Sequence, residues 1–157
     1  MPNAVAIALE RPDQPAIAAM LADLDHYLTA LYPPEANHIL DIEALLKPDI
    51  RFFVARRESV PVGCGALRLE EDYGEIKRMF VAPSARGLGL GKALLHAIEV
   101  HARGMGIDLL RLETGVRQPE AIGLYIAAGY AETAEFGDYP PSIHSRFFAK
   151  PLGPGPR

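Results

Sequence analysis

The run Arg86-Gly87-Leu88-Gly89-Leu90-Gly91-Lys92 constrains this chain more than any other feature. It has glycine at every second position and lies between an apolar run that ends at Pro83 and a helix-like run that starts near Gly91. A glycine-rich turn between a strand and a helix lets the backbone adopt positive φ and approach a ligand closely. Its successive N–H groups, together with the helix N-terminus, favour bound negative charge. Arg86 and Lys92 can add cationic contacts. A P-loop would need glycine where Arg86 stands and Ser or Thr where Ala93 stands. The dinucleotide pattern G-x-G-x-x-G would need glycine at Lys92 or at Leu94. The plain alternative is a turn that holds no ligand.

The surrounding pattern is that of a mixed α/β fold. Val5 to Leu9 reads as a first strand. Ile17, Met20, Leu21, Leu24, Leu28 and Leu31 recur at steps of three and four, so they mark one stripe of a helix. Pro33-Pro34 ends that helix. Asp41 can cap a short helix that runs through Leu46. Arg51–Arg56, Val60–Leu69 and Glu75–Val81 form an antiparallel meander, with turns near Glu58-Ser59 and at Glu71-Asp72-Tyr73-Gly74. The next helix spans about Gly91 to Arg103, with Leu94, Ala97, Ile98 and His101 on one face and Lys92, His96, Glu99 and Arg103 on the other. Gly104 and Gly106 can supply its C-terminal cap. A strand at Asp108–Glu113 follows, then a helix from Pro119 to about Ala128 that stops at Gly129, then strands near Ala131–Glu135 and Ser145–Ala149. Residues 151–157 read as a frayed tail. The order gives one α/β domain over residues 1–157, with a mixed sheet whose first half is antiparallel.

Composition removes several function classes. The 157 residues suit a single core, and a formal net charge of −4 argues against binding nucleic acid through a basic face. The one cysteine, Cys64, cannot form an internal disulfide, which fits a reducing, cytoplasmic setting. The N-terminal residues lack the basic and apolar regions of a signal peptide, and no apolar run is long enough to span a membrane. His26, His38, His96, His101 and His144 show no metal-ligand spacing, so no metal is expected. Nothing in the sequence sets the oligomeric state, and a homodimer is allowed.

Arg86-x-x-Gly89-x-Gly91 resembles the R/Q-x-x-G-x-G/A signature of the GNAT acetyltransferases. Lys77-Arg78-Met79-Phe80-Val81-Ala82-Pro83 resembles that family's strand leading into the loop. Gln118-Pro119-Glu120-Ala121-Ile122-Gly123-Leu124-Tyr125 with Gly129-Tyr130 is similar to its N-x-x-A-x-x-L-Y-x-x-x-G-F helix motif, with glutamine in place of asparagine. The resemblance covers about residues 50–150. It implies a fold with splayed central strands and helices on both faces, and it implies acetyl-coenzyme A as co-substrate. In that reading the backbone from Gly87 through Leu88, Gly89, Leu90 and Gly91 to Lys92 binds the pyrophosphate, beside Arg86. The segment Met79, Phe80 and Val81 pairs the pantetheine arm through the main chain of Met79 and Val81. Gln118 stands where the family's asparagine makes its contact.

The resemblance also implies catalytic roles. Tyr125 occupies the position of the family's general acid. Glu75 is the first choice for the base and Glu113 the second. Lys77 and Arg78 are adjacent in a strand, so they should point to opposite faces. At least one should therefore open into a cleft and bind an anionic group on the amine substrate, with Arg51 and Arg68 near by and Tyr139 closing over it. Cys64 reads as a buried hydrophobe rather than a nucleophile. Two competing readings are a non-catalytic acyl-CoA sensor and a protein-modifying acetyltransferase. Tyr125 and Glu75 speak against the first, and the lack of a basic tail speaks against the second.

Overall fold

The computed structural model describes residues 5–153. Among them, seven strands form one sheet: β1 (Val5–Leu9), β2 (Ile50–Arg57), β3 (Val60–Leu69), β4 (Gly74–Val81), β5 (Leu109–Gly115), β6 (Ala131–Thr133) and β7 (Ser145–Pro151). The helices are α1 (Pro15–Leu31), α2 (Ile42–Leu45), α3 (Leu90–Gly104) and α4 (Pro119–Ala127). Spatial order is β1-β2-β3-β4-β5-β7-β6, and β4–β5 is the parallel pair.

Side-chain alternation divides the core between the two faces of the sheet. Phe52, Val54, Cys64 and Ala66 pack under the Ile17, Met20, Leu21 and Leu24 stripe of α1. Phe53, Ala55, Leu67 and Ile76 pack under Leu94, Leu95, Ile98 and Ala102 of α3, with Ile122 and Tyr125 of α4. The β2–β3 hairpin turns on Glu58 and Ser59, both at positive φ (51° and 69°), the conformation that matches strand twist in a two-residue hairpin. The Asp41 carboxylate caps α2 by accepting from the Ala44 N–H at 2.8 Å.

Two irregularities shape the centre. The β4–β5 ladder holds only at Gly74–Leu110, Glu75–Arg111 and Ile76–Leu112, and beyond it the strands diverge. In the same place β4 carries one extra residue against β3, because Cys64 faces Phe80 while Ala66 faces Lys77. Arg78 is the residue in the left-handed region there, at φ 59°. A bulge bends its strand and increases its twist, which accounts for the departure of β4 from β5.

Several sequence expectations are corrected. Lys77 and Arg78 do not point to opposite faces, because the bulge interrupts the alternation. Glu99 is not on a solvated face. It is buried, accepting from Tyr130 Oη at 2.9 Å and from Lys150 Nζ at 3.1 Å, so it ties α3 to β7. Of the two glycines after α3, only Gly106 adopts positive φ (80°); Gly104 is the last helical residue. The tail is not frayed at Pro151 and Leu152, since β7 runs through Pro151 and Leu152 is buried with its N–H on the Asp108 carbonyl. Residues 154–157 lie outside the described residues, as do residues 1–4.

Gly115, at the end of β5, has a tight neighbour. A Cβ there would lie 1.8 Å from Tyr32 Oη, which accepts from the Arg117 N–H at 3.0 Å and donates to Gln118 Oε1 at 3.3 Å. Gly115→Ala must therefore expel the Tyr32 ring. We expect a loss of about 1–3 kcal/mol in urea denaturation, the usual cost of overpacking.

Candidate active site

The glycine run forms an exposed loop between a 3-10 turn (Pro83–Ala85) and α3. Gly87 and Gly89 have φ of 84° and 74°, and a Cβ at either would meet nothing within 4 Å. The loop is thus open on its outer side. Gly89 is the N-cap of the 15-residue helix α3 and makes no side-chain cap there, which leaves the first-turn N–H groups free for an anion. Gly91 serves packing instead, because a Cβ there would lie 2.8 Å from Leu124 of α4. The Leu90 side chain is core, so only its backbone faces the loop, while Lys92 is exposed in the first turn.

Where β4 and β5 part, residues 76–79 and 113–115 line a cavity of about 100 Å³. Ala82 N–H donates to the Val62 carbonyl, so Val81, the next residue along, directs its own polar groups away from β3 and into the splay. Arg86 Nε already donates to the Val81 carbonyl at 3.2 Å. Met79 lines the cavity; Phe80 is core on the α1 side.

Tyr125, Glu113, Gln118, Lys77, Arg78 and Tyr139 all line this one cavity, although they come from four different segments of the chain. Tyr125 is buried and makes no hydrogen bond to a described side chain or backbone group; burial, with Glu113 near by, holds its phenol well above the ordinary range. Glu113 accepts from Ser145 Oγ at 2.6 Å. Burial raises its carboxyl above the usual value, against the opposing pull of Ser145, His38 and Lys77. Gln118 lines the cavity and spends its side-chain oxygen on the Gly115 N–H (3.1 Å) and on Tyr32.

Glu75 does not line the cavity. It is buried behind Lys77 and Tyr139: it accepts from Lys77 Nζ at 3.3 Å and from Tyr139 Oη, and Lys77 also donates to Tyr139 Oη at 2.6 Å. Arg51 and Arg68 lie elsewhere. Arg51 donates to the Pro48 carbonyl and Arg68 pairs with Glu70. Cys64 is buried, and desolvation pushes its thiol up to about 12, so it is no thiolate nucleophile. Among the described residues no group of three His, Cys, Asp or Glu side chains could hold a metal, and no helix is long and apolar enough to cross a membrane.

Sequence reasoning missed Asn37, His38 and His144, which also line the cavity. They lie in the α1–α2 and β6–β7 connections, where no periodicity or motif marks them. Tyr139 packs edge-on against His38, with ring centroids 5.0 Å apart, so one of the missed residues supports one of the expected ones.

The elevated Glu113 carboxyl has a consequence for stability. A group that binds its proton more tightly when folded stabilises the fold below its unfolded pKa, and that contribution is lost as pH rises through the folded value. Glu113→Gln removes the loss. Thermal unfolding of the variant should therefore gain on the parent as pH rises above the ordinary carboxylate range.

A sheet that splays between two parallel central strands, with a glycine cradle opening the following helix, is the arrangement that the resemblance to the GNAT acetyltransferases implies. The sequence comparisons agree with that class. The model of the Acetyltransferase (GNAT) family matches residues 17–130. An IAA acetyltransferase from Azospirillum brasilense is 51% identical over 154 residues, covering 97% of this chain and 100% of that protein. A Klebsiella pneumoniae protein assigned as an acyl-CoA N-acyltransferase superposes with a TM-score of 0.82 at 35% identity, covering 94% of this chain and 97% of that one. The PaiA N-acetyltransferase of Thermoplasma acidophilum, solved with coenzyme A, shares the fold at a TM-score of 0.72 and 18% identity, over 94% and 99% of the two chains. The chain belongs to the GNAT family of N-acetyltransferases.

Proposed function

We propose that the chain transfers an acetyl group from acetyl-coenzyme A directly to the primary amine of a small molecule. The observation that carries this reading is the convergence of Glu113 and Tyr125 on one cavity where β4 and β5 part. The cradle fits a pyrophosphate. Two glycines at positive φ leave room on their outer side, a helix N-terminus stands behind them, and Arg86 and Lys92 flank them. Acetyl-coenzyme A, when bound, supplies the activated thioester carbon.

The residues of the chain then act as follows. The loop backbone from Gly87 to Lys92 holds the phosphates. The Met79 main chain and the Val81 N–H pair the pantetheine arm at the open edge of β4, and Gln118 lies beside it. Glu113, rather than Glu75, takes the proton from the attacking nitrogen, because Glu113 faces the cavity and Glu75 is held by Lys77 and Tyr139. The raised Glu113 carboxyl is a better proton acceptor than an ordinary carboxylate once ionised. The Tyr125 hydroxyl, kept neutral by burial, gives its proton to the departing sulfur. Cys64, buried and protonated, offers no thiolate for an acyl-enzyme, which favours direct transfer. The small cavity, lined in part by Tyr139, suits a small amine better than a protein segment.

Calorimetric titration with acetyl-coenzyme A tests the cofactor half of this reading. Saturable one-site heat is expected, and no heat at millimolar cofactor would overturn it.

A further inference from the structure

We infer that the amine substrate also carries a carboxylate-class anionic group, and that Arg78 is the residue that binds it; this rests on reading the cavity as the site of acetyl transfer. The β4 bulge is the starting observation. Strict alternation would send Arg78 to the α3 side of the sheet, where Ile76 and Met79 join the core. Instead the extra residue places Lys77 and Arg78 in succession on the α1 side, and both line the cavity. Arg78 holds positive φ to do so, a conformation that is strained for a non-glycine residue. Strain of this kind persists where the surrounding structure imposes it, and it clusters at ligand sites.

The guanidinium that the bulge positions is nearly unused. The Arg78 side chain is 4% exposed and pairs only with Asp25 of α1 among the described residues. A guanidinium has five N–H donors, and Arg78 Nε is closed to solvent with no acceptor. Asn37 Nδ2, independently, is a second buried donor with no partner, and Asn37 lines the same cavity. Lys77 directs two of its three N–H bonds to Glu75 and Tyr139 and has one to spare. Buried donors without acceptors are costly. A carboxylate supplies what this lip of the splay lacks, namely two acceptor oxygens and a negative charge, and guanidinium binds carboxylates with favourable fork geometry.

The opposite lip has the complementary character. Glu113 on β5 is the one acidic side chain among the lining residues, and it receives the proton of the amine. A substrate with an amine at one end and a carboxylate at the other would align its charges across the splay, amine toward β5 and carboxylate toward β4. A bare amine would leave the Arg78 donors unmatched.

The test compares matched pairs: L-phenylalanine with phenethylamine, L-tryptophan with tryptamine, and β-alanine with ethylamine. Each is assayed with acetyl-coenzyme A for thiol release. The carboxylated member should have at least about a tenfold higher kcat/KM in one or more pairs, as one charge-assisted contact provides. Arg78→Met should bring that ratio near one by raising KM for the amino acid, with KM for acetyl-coenzyme A unchanged, and Arg78→Lys should restore part of it. The methionine variant keeps the side-chain stem and the same backbone demand. Its former partner Asp25 is 43% exposed, so no buried charge is stranded. Calorimetry with 3-phenylpropionate, which has no amine, provides a readout without turnover: heat with the parent and none with Arg78→Met. Preference for the bare amines, a preference that survives Arg78→Met, or no carboxylate binding would each overturn the inference. Carboxylate binding that depends on Arg78, with no acetyl-coenzyme A turnover, would instead sink the acetyl-transfer reading and leave the anion site standing.

Discussion

Tyr125→Phe should lower kcat by about 10²-fold or more, the range for loss of a general acid, while KM for acetyl-coenzyme A changes little. The ring is packed against Tyr130 and Phe148, with centroids 6.1 and 6.5 Å away, and those contacts survive the change. Only the hydroxyl is lost, and it has no hydrogen-bond partner among the described residues that would be left stranded. Stability should therefore stay within the small range typical of substitutions that create no cavity and no orphaned polar group. Steady-state kinetics with thermal unfolding checks both halves. Unchanged turnover would remove Tyr125 from the mechanism, whereas a collapse of Tm would reassign it to the core.

Gly89→Glu should raise the Kd for acetyl-coenzyme A by more than about 100-fold, or about 2.7 kcal/mol. Three effects act together. The residue sits at φ 74°, which strains any side chain by about 1–2 kcal/mol. Its Cβ would point into the open side of the loop, where the phosphates are expected to lie. Its carboxylate would also claim the helix N-terminus that should meet them. The last effect slightly favours the helix itself, so α3 should remain folded. Gly89→Ala carries the strain without the charge and should weaken binding by a smaller factor. Calorimetry on the two variants separates backbone strain from charge repulsion, and parent-like affinity in Gly89→Glu would remove the loop from the cofactor site.

Much of the fold was legible because it follows local rules. The α1 stripe, the Asp41 cap, the Glu58-Ser59 turn and the start of α4 at Pro119 each follow from spacing or from one residue's conformational preference. The departures have non-local causes. Glu99 is buried because Tyr130 and Lys150, 31 and 51 residues away, give it partners that no helical periodicity reveals. Leu152 is buried because β7 continues past the last alternating residues. The side of the sheet taken by Arg78 depends on one extra residue in β4, and a strand sequence without glycine or proline at that point gives no sign of a bulge.

The candidate site divides along the same line. The glycine loop and Tyr125 lie in contiguous motifs and could be named from the chain alone. Glu75 and Glu113 could not be ranked that way, because the ranking depends on which one Lys77 and Tyr139 occupy. Asn37, His38 and His144 reach the cavity from connections whose path only tertiary packing decides.

Transfer of an acetyl group from acetyl-coenzyme A to a small amine in this cavity is the step on which the proposed function rests. Its most direct test incubates the protein with acetyl-coenzyme A and a panel of primary amines, follows thiol release, and identifies the products by mass spectrometry. At least one amine is expected to drive thiol release matched one-to-one by its N-acetyl derivative, with both signals falling together in Glu113→Gln. Cofactor binding in which no amine raises thiol release above the amine-free rate would contradict it.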